Sequence, residues 1–222
     1  MQFVTKLIFR RTIRRAALRA IVGRNRQPAD PKKGRFTVGD VDQILHDTWR
    51  VYDQRASTVP REPKLGNRMN MMLSCLTLSC LAVMLDSGIK PTYAIESIGD
   101  TAWKVYEVWG RVPKRMANLV VRDPRLRMRL CVNLFLRFPF TPPGYVFERK
   151  PTPEGIAVDM LRCPVSDYLL QNDAADLCQG TWCNLDFALA EMWGSRLCRE
   201  ETLSAGCPRC DFRFETIGPK KP

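Results

Sequence analysis

Histidine is almost missing from this chain, since His46 is the only one among 222 residues. A single imidazole cannot serve both a Ser-His-Asp device and a histidine-rich metal site. The sequence also lacks a glycine-rich phosphate loop and a Gly-x-Ser-x-Gly motif, which excludes the enzyme classes built on those motifs. His46 itself lies in a predicted amphipathic helix, where we interpret it as structural or exposed.

Long apolar runs are missing too. The longest stretch is residues 71–85, shorter than the roughly 20 residues that cross a bilayer. This length favours a buried core helix. Residues 1–26 carry charge throughout and contain no apolar block of the kind that signal peptides need. A cytoplasmic location is therefore expected.

The charge of +12 is unevenly spread along the chain. Residues 1–35 hold eleven Lys or Arg and one acid, Asp30, whereas the remaining residues hold 24 bases and 22 acids. This distribution argues against a nucleic-acid-binding surface over the whole protein. Residues 3–22 have helical apolar spacing, which predicts a basic helix docked on the body, or an interfacial helix that contacts a membrane or an acidic partner through residues 1–26.

The order of predicted elements favours an α+β protein. Residues 1–35 form a basic helix and linker, and residues 36–222 form one α+β domain, whose helical N-terminal half packs on a small antiparallel sheet of C-terminal hairpins. The predicted helices are 38–56, 71–85, 91–108, 113–138, 165–171 and 174–193. The predicted strands are 145–149 with 156–161, and 199–204 with 210–216.

The chain has nine cysteines, and an odd number in a chain that is not small and has no export signal favours free thiols over a disulfide framework. Cys75, Cys80 and Cys131 lie in apolar helices and are expected to pack in the core. Cys207 and Cys210 have the spacing of one zinc knuckle, but a second well-formed pair is missing. Cys178 and Cys183 would lie ~140° apart on an α-helix, too far to chelate together. No cofactor is predicted, and zinc stays an alternative.

Two groups of residues in the last third could carry chemistry. Cys183 and Asp186 are three residues apart, on one face of a predicted helix, so the carboxylate could take the thiol's proton or hold a water beside it. On the last strand, Cys210 shares one face with Phe212 and Phe214, and Asp211 shares the other with Arg213. Arg213 could therefore grip a substrate carboxylate, or pair with Asp211 or an acid on a neighbouring strand.

The same third carries a family resemblance. It rests on Arg162-Cys163-Pro164, Leu177-Cys178, Cys183 with Asp186, Thr202-Leu203, Gly206 and Cys210-Asp211-Phe212-Arg213-Phe214. This series resembles the L-2-amino-thiazoline-4-carboxylic acid hydrolase family over about residues 140–216. The helical half is compatible with the family in layout only, and the stretch before Phe36 has no place in its pattern.

The resemblance implies ring opening of a 2-aminothiazoline carboxylate to N-carbamoyl-cysteine, by attack on the amidine carbon C2 and loss of the ring thiolate. It implies Cys183 as nucleophile or thiol ligand and Asp186 as the base or water-positioning group. Cys163 and Cys210 are then neighbouring pocket thiols of the catalytic site. Substrate contacts are expected from Arg213 or Arg162, as the carboxylate anchor, and from Asp211.

Two further functions stay open. The chain could be a non-catalytic protein that holds a small molecule in the same cysteine pocket, or a metal in it through Cys163, Cys183 and Cys210. It could also be a peripheral or scaffold protein that acts through the basic helix. The sequence does not decide the oligomeric state or the true substrate.

Overall fold

The computed structural model describes residues 2–152 and 155–217. Five helices come first, then a four-stranded antiparallel sheet interleaved with three short helices. The expected α+β class is therefore confirmed. The long helices are α1 (Gln2–Ile21), α2 (Val38–Arg55), α3 (Leu65–Asp86), α4 (Pro91–Val120) and α5 (Pro124–Arg137). The short helices are α6 (Pro164–Leu170), α7 (Ala175–Cys178) and α8 (Asn184–Met192).

Helix α3 begins six residues before the predicted start and contains the apolar run. By length and composition it could cross a membrane, and half of its most apolar window is buried inside the protein. Two of its buried polar side chains have partners in the loop after α5: Asn67 Nδ2 donates to Thr141 O at 2.7 Å, and Asn70 Nδ2 donates to Tyr145 Oη at 2.9 Å. These bonds, with the packing of α3 on α2, α4 and α6, make α3 a core helix of the protein.

Helix α4 corrects the predicted break at Pro113. The helix continues through this proline to Val120, and the chain breaks instead before α5, where Asp123 Oδ1 accepts from the N–H groups of Arg125 and Leu126. Proline removes one backbone donor from a helix. The missing donor at Pro113 is the one that would bond to Trp109 O. Tertiary packing holds this part of α4 in place, since the buried Trp193 indole donates to the neighbouring Gly110 O at 3.0 Å.

The sheet has the strand order β1 (Val146–Lys150), β2 (Ile156–Arg162), β4 (Cys210–Thr216), β3 (Ser195–Cys198). The first predicted hairpin, β1–β2, is confirmed. The second hairpin is displaced, since β3 ends where the predicted strand 199–204 should begin. The reason is that Gly194, at φ +76°, reverses the chain directly after α8 and starts the strand early. Residues 199–209 are left as a loop with one 3₁₀ turn, Leu203–Ala205.

Two apolar cores meet in the middle of the molecule. One joins α1 to α4 with α6 and α7, and the other joins α4, α5 and α8 to the inner face of the sheet. Cys163 and Trp182 pack against both cores. The cysteine-rich segment therefore lies where the helical half and the sheet come together.

The N-terminal basic helix is docked on this body. Phe9, Ile13 and Ala17 of α1 are buried in the first core. Arg14 pairs with Asp42 at 2.7 Å, and Arg24 pairs with Asp100. Exposed pairs of this kind add little stability, so the apolar face of α1 holds the helix in place.

Candidate functional site

A cavity of about 100 Å³ lies between the sheet, α4, α5, α6 and α8. Most of its wall is aromatic and aliphatic, from residues such as Tyr106, Phe135, Phe140, Tyr145 and Trp193. Its polar groups are Cys163, Ser166, Cys178, Cys183, Asp186, Arg199, Thr202, Ser204 and Cys210. A mostly apolar cavity with a few convergent polar groups is the usual form of a small-molecule site.

Four cysteines of the family pattern line this cavity together: Cys163, Cys178, Cys183 and Cys210. The expected ~140° separation of Cys178 and Cys183 is wrong. Residues Gln179–Cys183 form a π-helical turn, and the two sulfurs lie 4.0 Å apart. A π turn closes on the fifth residue, so it points both thiols the same way, and such turns are frequent at functional sites.

Hydroxyl groups from the loop after β3 connect the thiols. Cys183 Sγ lies 3.3 Å from Ser204 Oγ and 3.7 Å from Thr202 Oγ1. Thr202 Oγ1 lies 3.5 Å from Cys210 Sγ, which also accepts from the N–H of Leu203 at 3.3 Å. Cys183 and Cys210 are thus joined through one hydroxyl, although they are far apart in the chain.

Arg199 is the cation of the cavity, and sequence reasoning missed it. Its side chain is only 7% exposed; Nη1 donates to Asp186 Oδ2 at 3.2 Å and to Cys183 O at 3.1 Å. The guanidinium also lies over the rings of Phe187 and Phe212. Residue 199 was expected to begin a strand, and no local signal separates it from the many other arginines of this chain.

Burial and charge set the protonation of the cavity groups. Burial raises the pKa of Asp186 to about 7; Arg199 opposes the rise, and Cys183 adds to it. The pKa of Cys183 is lowered, first by its hydrogen bond with Cys178 and then by Ser204 and Arg199, against the effect of burial. The pKa of Cys178 is raised by the same bond, and burial raises those of Cys163 and Cys210. Cys183 is therefore the thiol of this group that most readily becomes a thiolate.

Three expected substrate-binding residues do not line the cavity. Arg213 lies on the other face of β4 and pairs with the buried Asp159 at 2.7 Å, one of the alternatives that the sequence left open. Asp211 accepts from the N–H groups of Glu200 and Glu201, so it fixes the loop after β3.

Arg162 also lies outside the cavity. It pairs with Glu62 at 3.0 Å and donates to Gly144 O at 2.8 Å, so it ties the end of β2 to the loop before β1. The cation beside the predicted Cys183–Asp186 pair is therefore Arg199 and none of the arginines singled out from the sequence.

The remaining candidates lie elsewhere. Cys75 and Cys131 are buried in the two cores, as their apolar surroundings indicate. The His46 side chain is exposed on α2. Cys207 does not line the cavity. Among residues 2–152 and 155–217, no three His, Cys, Asp or Glu side chains are arranged to hold a metal ion, and this includes the set Cys163, Cys183 and Cys210.

Chemically, the cavity offers an activated thiol, a carboxyl group that can carry or release a proton near neutral pH, and a cation beside both. Residues 126–214 match the family model described as L-2-amino-thiazoline-4-carboxylic acid hydrolase. The cysteines, the Ser and Thr hydroxyls, Asp186 and Arg199 of the cavity all lie within the matched segment, whereas Tyr106 lies outside it. Searches of curated proteins and of solved structures each gave no significant match.

Proposed function

We propose that the chain hydrolyses a cyclic amidine of the thiazoline type in the cavity around Cys183, since residues 126–214 match the L-2-amino-thiazoline-4-carboxylic acid hydrolase family model. The observation that carries the proposal is the Cys183–Asp186–Arg199 group in a mostly apolar cavity.

In the first step the thiolate of Cys183 attacks the amidine carbon C2. A new C–S bond forms, the ring C2–S bond breaks, and the ring sulfur leaves as a thiolate. A thiol with a lowered pKa supplies the nucleophile at neutral pH. The hydroxyls of Thr202 and Ser204 can donate to the sulfur anion as it forms and again as it leaves.

Asp186 handles the proton in both steps. Because burial raises its pKa to about 7, the carboxyl can give a proton to the departing ring sulfur. The resulting carboxylate then takes a proton from water, which adds to C2 and expels Cys183. The net reaction consumes one water and yields a ureido group and a free thiol on the opened substrate.

Arg199 provides the cationic seat for the substrate carboxylate in this scheme, in place of Arg213 or Arg162. Nη1 is engaged with Asp186 and Cys183 O, and a guanidinium has five N–H donors in all. A substrate carboxylate held by the other donors would lie next to the reacting thiol. Cys163 and Cys210, whose pKa values are raised, contribute neutral thiols to the wall.

The scheme needs no cofactor, and a cytoplasmic location remains part of the proposal. The competing function is a protein that holds a small molecule without turning it over, which the apolar wall favours. The two functions differ in the wild type, because an enzyme converts the bound ligand and a binding protein holds it unchanged. In the enzyme, Cys183→Ser stops turnover but leaves an apolar pocket able to bind.

The test is turnover of a panel of thiazolines and cyclic amidines by the full chain and by single variants. Cys183→Ser and Asp186→Asn should each lower kcat by at least about 100-fold, the usual range for an acid–base or nucleophilic group. Cys198→Ser is the matched control, because Cys198 is a half-buried thiol outside the cavity. Full activity in both cavity variants would place the reaction elsewhere, and ligand binding with no turnover by the wild type would favour the binding protein.

A further inference from the structure

The C-terminal half of α4 presents a row of apolar side chains to solvent. Leu119 is 86% exposed and Val120 71%, values far above those of core residues. We call this row the α4 apolar face, and its members are Val108, Trp109, Val112, Met116, Leu119 and Val120. Trp109, Val112, Met116 and Leu119 follow one another at three or four residues, and Val108 and Val120 flank this row, so all six lie on one side of the helix, adjacent to the buried side.

The α4 apolar face continues across a groove to the end of α5. Trp109, Val112 and Met116 line one wall of this groove, and Phe138, 42% exposed, lines the other. The groove has a volume of about 200 Å³ and is lined almost entirely by apolar groups. A contiguous exposed apolar area of this kind marks an interaction site more often than a scatter of single side chains does.

The surroundings of the α4 apolar face are strongly basic. Residues 104–137 hold nine Lys or Arg and two acids, Glu107 and Asp123, a net charge of +7. On α4 itself, Lys104, Arg111 and Arg115 follow the polar side of the helix beside the apolar row. An amphipathic helix with Trp and aliphatic groups on one side and cations on the other is typical of helices that lie in a membrane interface.

We propose that the α4 apolar face and the groove beside it dock this protein on an anionic membrane surface. The apolar side chains would enter the headgroup boundary, and the arginines beside them would contact acidic lipid headgroups. Charge selects this occupant over a second copy of the chain, because a symmetric pair would set two basic rows against each other. The site extends the membrane contact expected for residues 1–26 to a different element, since α1 uses its apolar side to dock on the body.

The proposal is tested by flotation of the full-length protein with two kinds of vesicle. One contains phosphatidylcholine only, and the other contains about 30% phosphatidylglycerol. The wild type should bind the anionic vesicles, and its binding should weaken as salt is raised. Val112→Glu/Met116→Glu should lower the partition at least tenfold, because both side chains are exposed and two carboxylates oppose insertion and anionic lipid alike.

Ile217→Glu is the matched control, since Ile217 is 55% exposed and lies at the end of β4, outside the α4 apolar face. It should bind vesicles like the wild type, and circular dichroism should show all variants folded. The proposal would be overturned if the wild type bound neither kind of vesicle, or if the double variant bound the anionic vesicles as well as the wild type does. A concentration-dependent dimer abolished by Val112→Glu/Met116→Glu, without vesicle binding, would assign the face to a second copy instead.

Discussion

The raised pKa of Asp186 predicts that this group destabilises the folded protein as the pH rises, the opposite of an aspartate whose pKa is lowered on folding. Folded Asp186 keeps its proton up to about pH 7, whereas an aspartate in the unfolded chain ionises at about pH 4. Between these values the folded state binds more protons than the unfolded one, so this group makes the free energy of unfolding fall as the pH rises. Cys183 acts in the opposite direction, because a lowered thiol pKa makes stability rise as pH increases through the folded value.

The size of the Asp186 effect follows from the pH range. Each pH unit over which only the unfolded carboxyl is ionised changes stability by about 1.4 kcal/mol. From pH 5 to pH 7 this gives about 3 kcal/mol. Asp186→Asn removes the titration while keeping the shape of the side chain, at a cost from the lost Arg199 contact that does not depend on pH.

The assay is urea unfolding of wild type and Asp186→Asn at several values between pH 5 and pH 8. The stability of the wild type relative to the variant should fall by about 3 kcal/mol over this range. Asp176→Asn, at an exposed position on α7, is the matched control and should show a change within about 0.5 kcal/mol. Parallel pH curves for wild type and Asp186→Asn would refute the argument that burial dominates at Asp186.

Three further outcomes follow from the packing and the thiols. Gly155→Ala should destabilise the protein by about 3 kcal/mol or more in urea unfolding, because φ is +81° there and a Cβ would lie 1.9 Å from Phe214 O; an unchanged midpoint would contradict the close approach of the two strands. Trp193→Phe should cost about 1–3 kcal/mol in the same assay, since it leaves the buried Gly110 O without its donor. Alkylation of Cys183, followed by mass spectrometry of the labelled peptide, should show a pH midpoint below the ordinary thiol value of 9.0; a midpoint above it would rule out the lowered pKa.

Local patterns determined much of the fold in advance. The helical spacing of α1 and α2, the first hairpin and the α+β order follow from apolar periodicity and turn residues, which act over a few neighbours. The predicted break in the helix at Pro113 was wrong, because a proline signals a break only from its local sequence. Whether a helix survives it depends on distant packing, here Trp193 against Gly110.

The candidate site divides in the same way. Cys183, Asp186, Cys163 and Cys210 were singled out from the sequence, and they line one cavity. The sequence by itself determined which residue types could react and that Cys183 and Asp186 share a helix face. Only the tertiary structure decided that Arg199 is the cation beside them, that Arg213 faces Asp159, and that a π turn brings Cys178 to Cys183. The physical reason is the distance along the chain over which each interaction acts. One turn of helix places Cys183 beside Asp186, whereas the other contacts depend on burial and charge pairing between segments that are distant in the sequence.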